Sequence, residues 1–329
     1  MSNCIDFSLN QTLGFLKSND NYIILTHSSP DGDTLGAGYA LYYGLKQLGK
    51  TAEVLCPDVI PSKYAYFLCE TDHVTSDKPV IVAVDIADKR LLGSLEEEFG
   101  DRVDLNIDHH KTNKRYAKAL YLNTDASATC EMIYELLEKL GVEFNDTIAK
   151  AIYTGISTDT GCFKYSCVTA QTHKIAAALY AYDIGADKIN KVMFDTKSKD
   201  LLTLERMVLD TAEYHFDDKC MIVTVTAAMQ EKTGCSGPDL EGITEISRSV
   251  DGVIAGVTIK QTGSDTYKAS IRTYEPLDAS QICNLIGGGG HKNAAAAILC
   301  GTLAEVKVKI LDAIKQQMEE TNAWTFVDR

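Results

Sequence analysis

The sequence lacks the cysteine patterns that mark zinc and redox motifs. None of its ten cysteines belongs to a C-x-x-C pair, and Cys162 and Cys167 have no second pair that would complete a zinc site. The chain also lacks an N-terminal apolar segment of the kind that directs secretion. We therefore expect reduced, mostly buried cysteines in a cytoplasmic protein.

Long hydrophobic runs and excess positive charge are also missing. No stretch approaches the roughly 18 consecutive apolar residues of a membrane span, so the sequence predicts no transmembrane helix. There are 32 Lys and Arg residues against 46 Asp and Glu residues, which gives a formal net charge of -14. That charge opposes non-specific binding to long duplex DNA or to an anionic membrane. An anionic ligand therefore requires a local cationic site or metal ions.

The length of 329 residues predicts two domains, and the 45% hydrophobic content is sufficient for two ordinary cores. In the first half, short apolar runs alternate with helical patterns, which is typical of a parallel α/β sheet. The unbroken apolar run 80–84 predicts a central strand covered by helices on both faces. The predicted strands are 22–25, 52–55, 80–84 and 103–107, and the predicted helices are 34–48, 127–140, 147–156 and 169–182.

A change in composition over 184–200, where Lys and Asp accumulate, marks the predicted connection between the domains. We predict an α/β fold with an N-terminal parallel-sheet domain over 1–187, a linker over 188–200 and a smaller C-terminal α/β domain over 201–329. The predicted helices of the second domain are 201–214, 242–249 and 303–319, and its predicted strands are 221–226, 253–260 and 267–273.

Polar side chains with metal-binding chemistry follow three of the predicted strands of the first domain. In an open α/β sheet, ligands bind beyond the carboxyl ends of the strands, so these side chains stand where a site would be built. Each group also has a simpler explanation, since an Asp often caps the helix that follows and a polar loop is often solvated. Several carboxylates at one buried edge, however, repel one another unless cations neutralise them. The residues are His27, Asp31 and Asp33 after the first strand, Asp85 after the third, and Asp108, His109 and His110 after the fourth.

A fourth segment, Thr154 to Gly161, adds the carboxylate of Asp159, which alone would be an ordinary turn residue. Four carboxylates and two imidazoles suit two divalent cations, because the formal charges then cancel. Nitrogen and oxygen ligands without a thiolate favour manganese, with magnesium, iron or cobalt as alternatives. Two such metals clamp both oxygens of an in-line displacement at phosphorus, which predicts hydrolysis of a phosphoester or phosphoanhydride. The candidate ligands are His27, Asp31, Asp33, Asp85, His109 and Asp159.

The second domain contains a glycine run, Gly287 to Gly290, followed by His291 and Lys292. Glycines let backbone N–H groups approach an anion closely, so a phosphate or carboxylate cradle is one interpretation and a flexible turn is the other. Arg272 lies on the strand before this run and either forks onto a phosphate, stacks on a base, or makes a surface salt bridge.

The motifs now assembled resemble those of the DHH phosphoesterase superfamily, in the same order along the chain. The C-terminal segment from Ser270 to His291 looks like the DHH-associated domain of the nanoRNase and pAp phosphatase branch. The chain departs from the family pattern at two places, with Gly36-Ala37 where the family often has Gly-Ser, and Ala294-Ala295-Ala296 where it often has Ala-Ala-Gly. Neither change removes a metal ligand, although the second alters the loop at the substrate end. The four motifs are His27-x-x-x-Asp31-x-Asp33, Asp85 in Val-Asp-Ile-Ala-Asp, Asp108-His109-His110, and Thr158-Asp159-Thr160-Gly161.

The resemblance implies a role for each candidate residue. Asp85 would bridge two metals, His110 would face the scissile phosphate, and Asp108 would orient a neighbouring side chain. The substrate phosphates would be held from the second domain, with the active site in a cleft between the domains. The implied first metal site is His27, Asp31 and Asp85, the second is Asp33, Asp85, His109 and Asp159, and the implied substrate-binding residues are Arg272, Gly288, Gly289, Gly290 and His291.

These observations predict a manganese-dependent phosphodiesterase that cleaves mononucleotides from short RNA or from linear dinucleotides such as pApA. Removal of the 3' phosphate from pAp is a further predicted activity. A hydroxide bridging the two metals would attack phosphorus in line. The alternatives are an inorganic pyrophosphatase or polyphosphatase with the same metals, and a non-catalytic nucleotide-binding regulator. Oligomeric state is open, with a homodimer among the options.

Overall fold

The computed structural model describes residues 4–236, 240 and 242–325. The chain divides into two compact units, Met1–Thr196 and Lys197–Arg329, and each is described by itself. The division falls inside 188–200, the range of the predicted linker. None of the helices in the described ranges is long and apolar enough to cross a membrane.

The first unit is built on a sheet of six strands, all parallel, in the order β1-β6-β5-β4-β2-β3. The prediction of a parallel sheet is therefore confirmed, and three of the predicted strands have the observed bounds. The strand predicted over 103–107 instead ends at Asp108, so this residue belongs to the strand itself. The strands are β1 Ile5–Asp6, β2 Tyr22–Leu25, β3 Ala52–Leu55, β4 Val80–Val84, β5 Leu105–Asp108 and β6 Ala119–Leu122.

Helices cover the sheet of the first unit, and their ends follow local capping chemistry. The carboxylate of Asp31 caps α2, and Gly141 ends α4 in the left-handed conformation (φ 77°) that glycine adopts without strain. A π-helical turn, Lys191–Asp195, follows the last helix of this unit. The helices are α1 Leu9–Ser18, α2 Gly32–Gln47, α3 Glu96–Phe99, α4 Thr129–Leu140, α5 Asp146–Asp159, α6 Ala170–Leu179 and α7 Ala186–Asn190.

The main core of the first unit lies between the sheet and helices α2, α4 and α5. Residues 81–84 of β4 are buried and Val80 is partly buried, as expected for a central strand with helices on both faces. Helices α2 and α5 approach so closely that a Cβ atom at Gly36 would overlap the carbonyl oxygen of Ala151. This packing holds the start of α2 and the last turn of α5 close to the carboxyl edge of the sheet.

The second unit contains a mixed six-stranded sheet in the order β11-β12-β10-β9-β8-β7. Only β8 and β9 pair in parallel, and the other neighbours are antiparallel. The predicted C-terminal α/β domain is confirmed. Its strands are β7 Glu213–His215, β8 Cys220–Val225, β9 Ala255–Gln261, β10 Thr266–Thr273, β11 Gly289–His291 and β12 Ala294–Cys300, and its helices are α8 Lys199–Leu209, α9 Ala227–Thr233, α10 Ala279–Leu285 and α11 Leu303–Glu320.

Two predicted elements of the second unit are wrong in detail. The helix predicted over 201–214 ends at Leu209, because the Thr211 hydroxyl donates to Val208 O and accepts from Thr224 N, which turns the chain into β7. The helix predicted over 242–249 is a 3-10 segment, Gly242–Arg248.

All ten cysteines are free thiols, as expected from their spacing. Four of them are buried, three are partly exposed and three are exposed. The expectation that most would be buried is therefore wrong.

Candidate active site

The predicted site residues of the first unit meet at the carboxyl edge of the parallel sheet. His27 follows β2, Asp85 follows β4, and Asp108 ends β5, and these three strands are neighbours in the sheet. Asp31 lies at the start of α2 and Asp159 is the last residue of α5. Parallel strands therefore deliver the side chains to one edge, as the sequence predicts.

The ring of His27 is oriented by its own loop. Its Nδ1 atom donates to the carbonyl oxygen of Ser28 over 2.8 Å, which leaves the lone pair on Nε2. Nε2 lies 3.6 Å from Asp31 Oδ1 and 3.7 Å from Asp85 Oδ2. Burial lowers the pKa of His27, but the Asp31 carboxylate outweighs this effect, so the pKa lies above its ordinary value.

His109 presents a buried nitrogen atom that has no hydrogen-bond partner among the described residues. Its Nδ1 donates to the carbonyl oxygen of Ala126 over 3.1 Å, so Nε2 carries the lone pair. Nε2 lies 3.4 Å from Asp159 Oδ2, 3.7 Å from Asp85 Oδ1 and 4.0 Å from Asp33 Oδ2. A buried lone pair facing three carboxylates is the environment of a metal ligand, because a cation satisfies all four groups.

Asp85 lies at the centre of the cluster. It adopts a left-handed backbone conformation (φ 61°), which is uncommon for residues other than glycine and which marks many functional sites. Its Oδ2 faces His27 and its Oδ1 faces His109. Burial, followed by repulsion from Asp33 and Asp31, raises the pKa of Asp85 well above its usual range. The site therefore holds more negative charge than it can stabilise without a proton or a cation.

Asp31 combines two contacts that the sequence left as alternatives. Its Oδ1 caps α2 by accepting from the amides of Asp33 (3.0 Å) and Thr34 (3.1 Å), and the same atom faces His27. Asp33 does not cap α2. Its two oxygens instead accept from the amides of Thr129 (2.6 Å) and Cys130 (2.8 Å) at the start of α4. No sequence signal identified these last two residues, because the contact joins segments 96 and 97 positions apart.

Asp108 and His110 form a hydrogen-bonded pair beside the cluster. His110 Nδ1 donates to Asp108 Oδ1 over 2.8 Å, and Asn113 Nδ2 donates to Asp108 Oδ2 over 2.6 Å. Asp108 is fully buried, so a solvated loop is excluded for this residue. Burial raises its pKa, but the bonds from His110 and Asn113 outweigh burial and keep the pKa below its usual value. His110 keeps 37% of its side chain exposed and is free to contact a ligand.

The donor atoms of the cluster fit divalent cations. Nitrogen and carboxylate oxygen atoms lie within 4.8 Å of one another in three groups, and no thiolate takes part. Two of these groups together contain all six predicted ligands. The groups are His27, Asp31 and Asp85; Asp33, His109 and Asp159; and Asp85, His109 and His110.

Arg272 lies on β10 in the second unit, with 25% of its side chain exposed. Its Nε is 3.8 Å from Glu245 Oε1, and Glu245 also pairs with Arg248 at 2.5 Å. The Arg248 guanidinium lies 6.0 Å from the ring centre of Tyr274. Arg248 and Glu245 were not identified from the sequence, because the 3-10 segment that carries them has no recognisable motif.

The glycine run is part of the sheet of the second unit. Gly289, Gly290 and His291 form β11 and pair with β12. A Cβ atom at Gly288 would overlap the carbonyl oxygen of Ala296, and Gly290 has a φ of 151° that other residues rarely adopt. The flexible-turn interpretation is therefore wrong for Gly289 and Gly290. The residues of β11 are exposed on the surface of this unit.

Comparison with known proteins places these motifs in a family. The sequence model for "DHH family, N-terminal domain" matches residues 21–156, and the model for "DHHA1 domain" matches residues 218–320. The bifunctional oligoribonuclease and PAP phosphatase NrnA of Thermus thermophilus is 33% identical over 304 residues, which are 90% of this chain and 89% of that protein. The chain belongs to the DHH family. This DHH protein is a phosphoesterase, a hydrolase of phosphoester bonds, and the resemblance read from the motifs is confirmed.

Other relatives of the DHH protein extend the match over both units. The NrnA protein of Bacillus subtilis is 25% identical, with 84% of this chain and 89% of that protein covered. The crystal structure of an exopolyphosphatase-related protein from Bacteroides fragilis has a TM-score of 0.80 over 97% of each chain. Its sequence identity of 22% supports a shared fold alone.

Proposed function

We propose that this DHH protein is a manganese-dependent phosphodiesterase that releases mononucleotides from short RNA oligomers or linear dinucleotides such as pApA. We also propose that it removes the 3' phosphate of pAp. The main observation behind this proposal is the buried Nε2 of His109, which has no hydrogen-bond partner among the described residues and faces Asp85 and Asp159. The substrate class is supported by the relatives from Thermus thermophilus and Bacillus subtilis, both named oligoribonuclease and PAP phosphatase.

We propose that the cluster holds two cations. Imidazole and carboxylate ligands without a thiolate support manganese over a structural zinc. When bound, the cations would polarise the phosphate oxygens and lower the pKa of a water molecule. Asp85 would contact both cations, because its two oxygens face different imidazoles. The proposed ligands are His27, Asp31 and Asp85 for the first cation, and Asp33, Asp85, His109 and Asp159 for the second.

His110 is proposed to face the scissile phosphate. Its Nδ1 donates to Asp108, so its Nε2 is the ring atom available to a substrate. The buried Asp108 carboxylate would hold the ring so that Nε2 faces a phosphate oxygen on which negative charge develops. Asp108 thus acts on the reaction by orienting His110.

The substrate's phosphates are proposed to bind residues of the second unit. Arg272 offers a planar guanidinium that matches two phosphate oxygens, and it is already positioned by Glu245. Exposed His291 and the small residues of β11 would let a phosphate approach the backbone of this edge strand. The remaining proposed contacts in this segment are Gly288, Gly289 and Gly290.

The chain is proposed to have a catalytic domain over 1–187, a linker over 188–200 and a substrate-binding domain over 201–329. The family matches at 21–156 and 218–320 support this division. Ten free thiols support a reducing, cytoplasmic location, and the net charge of -14 supports short substrates over long duplex DNA. A homodimer remains a proposal that sedimentation would test.

The proposed function is tested by a hydrolysis assay with added Mn²⁺ that compares pApA, a short RNA, pAp and pyrophosphate. The variant Asp85→Ala is assayed in parallel as the control for the site. We expect turnover of pApA and the short RNA by the wild type and a loss of at least about 10³-fold in the variant. Faster turnover of pyrophosphate than of pApA would replace the substrate assignment with a pyrophosphatase. Bound metal without turnover of any substrate would favour a nucleotide-binding regulator.

A further inference from the structure

Helix α4 begins in an unusual way. Its N-cap residue is Ala128, which has no side-chain acceptor for the first amides of the helix. Those amides, from Thr129 and Cys130, donate instead to the two oxygens of Asp33. A carboxylate is favoured at a helix N-terminus, because the exposed amides and the helix dipole both stabilise negative charge. Asp33 therefore caps a helix that lies far from it in the sequence.

Thr129 makes a second contact with the same cluster. Its hydroxyl donates to Asp85 Oδ1 over 2.9 Å. A carboxylate rotates readily about its last torsion angle, so one fixed oxygen sets the direction of the other. With Oδ1 held by Thr129, Oδ2 of Asp85 faces His27 at 3.7 Å. The hydroxyl thus selects the orientation in which the two oxygens face different imidazoles.

Both contacts are made away from solvent. Thr129 and Asp33 have no exposed surface, and Asp85 is 3% exposed. Hydrogen bonds to a carboxylate are stronger than those between neutral groups, and water does not compete for them at this depth. Thr129 therefore holds one carboxylate through its backbone amide and another through its side chain.

We propose that Thr129 is a positioning residue of the metal centre, which presets the carboxylates of Asp33 and Asp85 for two cations. The inference rests on the proposed function, since it assumes that these two side chains bind metal. Thr129 itself is not proposed to bind a metal or the substrate. Because its amide belongs to the backbone, only the hydroxyl contact with Asp85 is open to side-chain substitution.

The test compares three variants of the full chain. Thr129→Val keeps the shape of the side chain and removes the hydroxyl, whereas Thr129→Ser keeps the hydroxyl. Thr12→Val is the matched control, because Thr12 is equally buried and its hydroxyl donates to Ser8 O at the N-cap of α1, away from the cluster. Each protein is stripped with EDTA and titrated with Mn²⁺, and free Mn²⁺ is measured by its electron paramagnetic resonance signal.

We expect Thr129→Val to raise the Mn²⁺ dissociation constant by about 10- to 100-fold, as for other residues that orient metal ligands. Thr129→Ser and Thr12→Val are expected to stay within about threefold of the wild type. Thermal unfolding in EDTA checks that each variant is folded, and Thr129→Ala replaces the valine variant if that variant is not.

Wild-type Mn²⁺ affinity in folded Thr129→Val would overturn the proposal, and so would an equal loss in Thr12→Val. A wild type that binds no Mn²⁺ would overturn both this proposal and the metal centre. A wild type that binds Mn²⁺ but hydrolyses neither pApA nor pAp would contradict the proposed function alone, because the comparison of Mn²⁺ affinities would still be readable.

Discussion

His110 donates from Nδ1 to Oδ1 of Asp108 over 2.8 Å, and Asp108 is fully buried beneath it. The bond fixes both the ring orientation and the tautomer of a histidine that keeps over a third of its side chain exposed. Nε2 of His110 is therefore the ring atom left for a ligand, as proposed for the scissile phosphate.

The first prediction concerns this pair. Asp108→Asn keeps the size of the side chain but replaces the carboxylate that accepts from His110 Nδ1 and Asn113 Nδ2. We expect kcat for pApA to fall by about 10²-fold, while the Mn²⁺ dissociation constant changes by less than about threefold. Asp104→Asn is the matched control, because Asp104 directly precedes β5, the strand that Asp108 ends. Its carboxylate accepts from Ile81 N and Lys118 Nζ, away from His110, so this variant should retain activity. A parallel loss of Mn²⁺ binding and kcat in Asp108→Asn would contradict the assigned role.

The second prediction concerns the central carboxylate. Asp85→Asn should stabilise the metal-free protein, because it removes a buried negative charge that four neighbouring carboxylates repel. Asparagine suits the left-handed backbone at this position and still accepts from Thr129. We expect a gain of about 1–3 kcal/mol in the free energy of unfolding at pH 8 in EDTA, with loss of Mn²⁺ binding. Chemical denaturation measures the gain, and a destabilised variant would refute the account of the charge.

The third prediction follows from the raised pKa values of Asp85 and His27. A raised pKa in the folded state contributes stability at pH values below the unfolded pKa, and that stability is lost as the pH rises through the folded pKa. Both groups therefore make the metal-free protein less stable as the pH rises from about 5 to about 8. Bound Mn²⁺ replaces the protons on Asp85 and His27, so the increase in unfolding temperature caused by Mn²⁺ should grow over the same pH range. Thermal unfolding with Mn²⁺ and with EDTA at several pH values measures this. An equal effect of Mn²⁺ at both ends of the range would contradict the prediction.

Much of the first unit follows from local sequence. The strands β2, β3 and β4 have the predicted bounds. β2 and most of β4 are buried, and a strand buried on both faces needs no alternating pattern to be recognised. The short strands β1 and β6 were missed. β1 has only two residues, which is too short a run to stand out from a loop.

The ligands of the candidate site could be predicted from the sequence, but the hydrogen bonds that hold those ligands in place could not. Strand ends and residue chemistry brought His27, Asp85 and His109 together. The contacts of Thr129 with Asp33 and Asp85 join distant parts of the chain, so no periodicity encodes them. In the second unit, the alanine-rich segment after the glycines has weak strand propensity, and pairing with β10 makes it a strand.

The fourth prediction tests Arg272 as a phosphate ligand. Arg272→Lys keeps the positive charge and loses the planar fork, so KM for pApA should rise by about tenfold with a smaller change in kcat. Lys268→Ala is the matched control, because Lys268 lies on the same face of the same strand four residues earlier and is exposed. Steady-state kinetics on both variants make the comparison. Equal KM values for Arg272→Lys and the wild type would remove Arg272 from the substrate site.

The fifth prediction separates structural from functional glycines in the run Gly287 to Gly290. A methyl group at Gly288 would overlap the backbone of Ala296, so Gly288→Ala should lower the free energy of unfolding by about 1–3 kcal/mol. At Gly289 the nearest neighbour of an added Cβ is Asn284 Oδ1, at 3.9 Å, so Gly289→Ala should leave stability nearly unchanged. If the backbone here approaches a phosphate, the methyl group at Gly289 will obstruct it and raise KM for pApA by several-fold. Gly289→Ala with wild-type stability and wild-type KM would instead show that the glycines serve the pairing of β11 with β12.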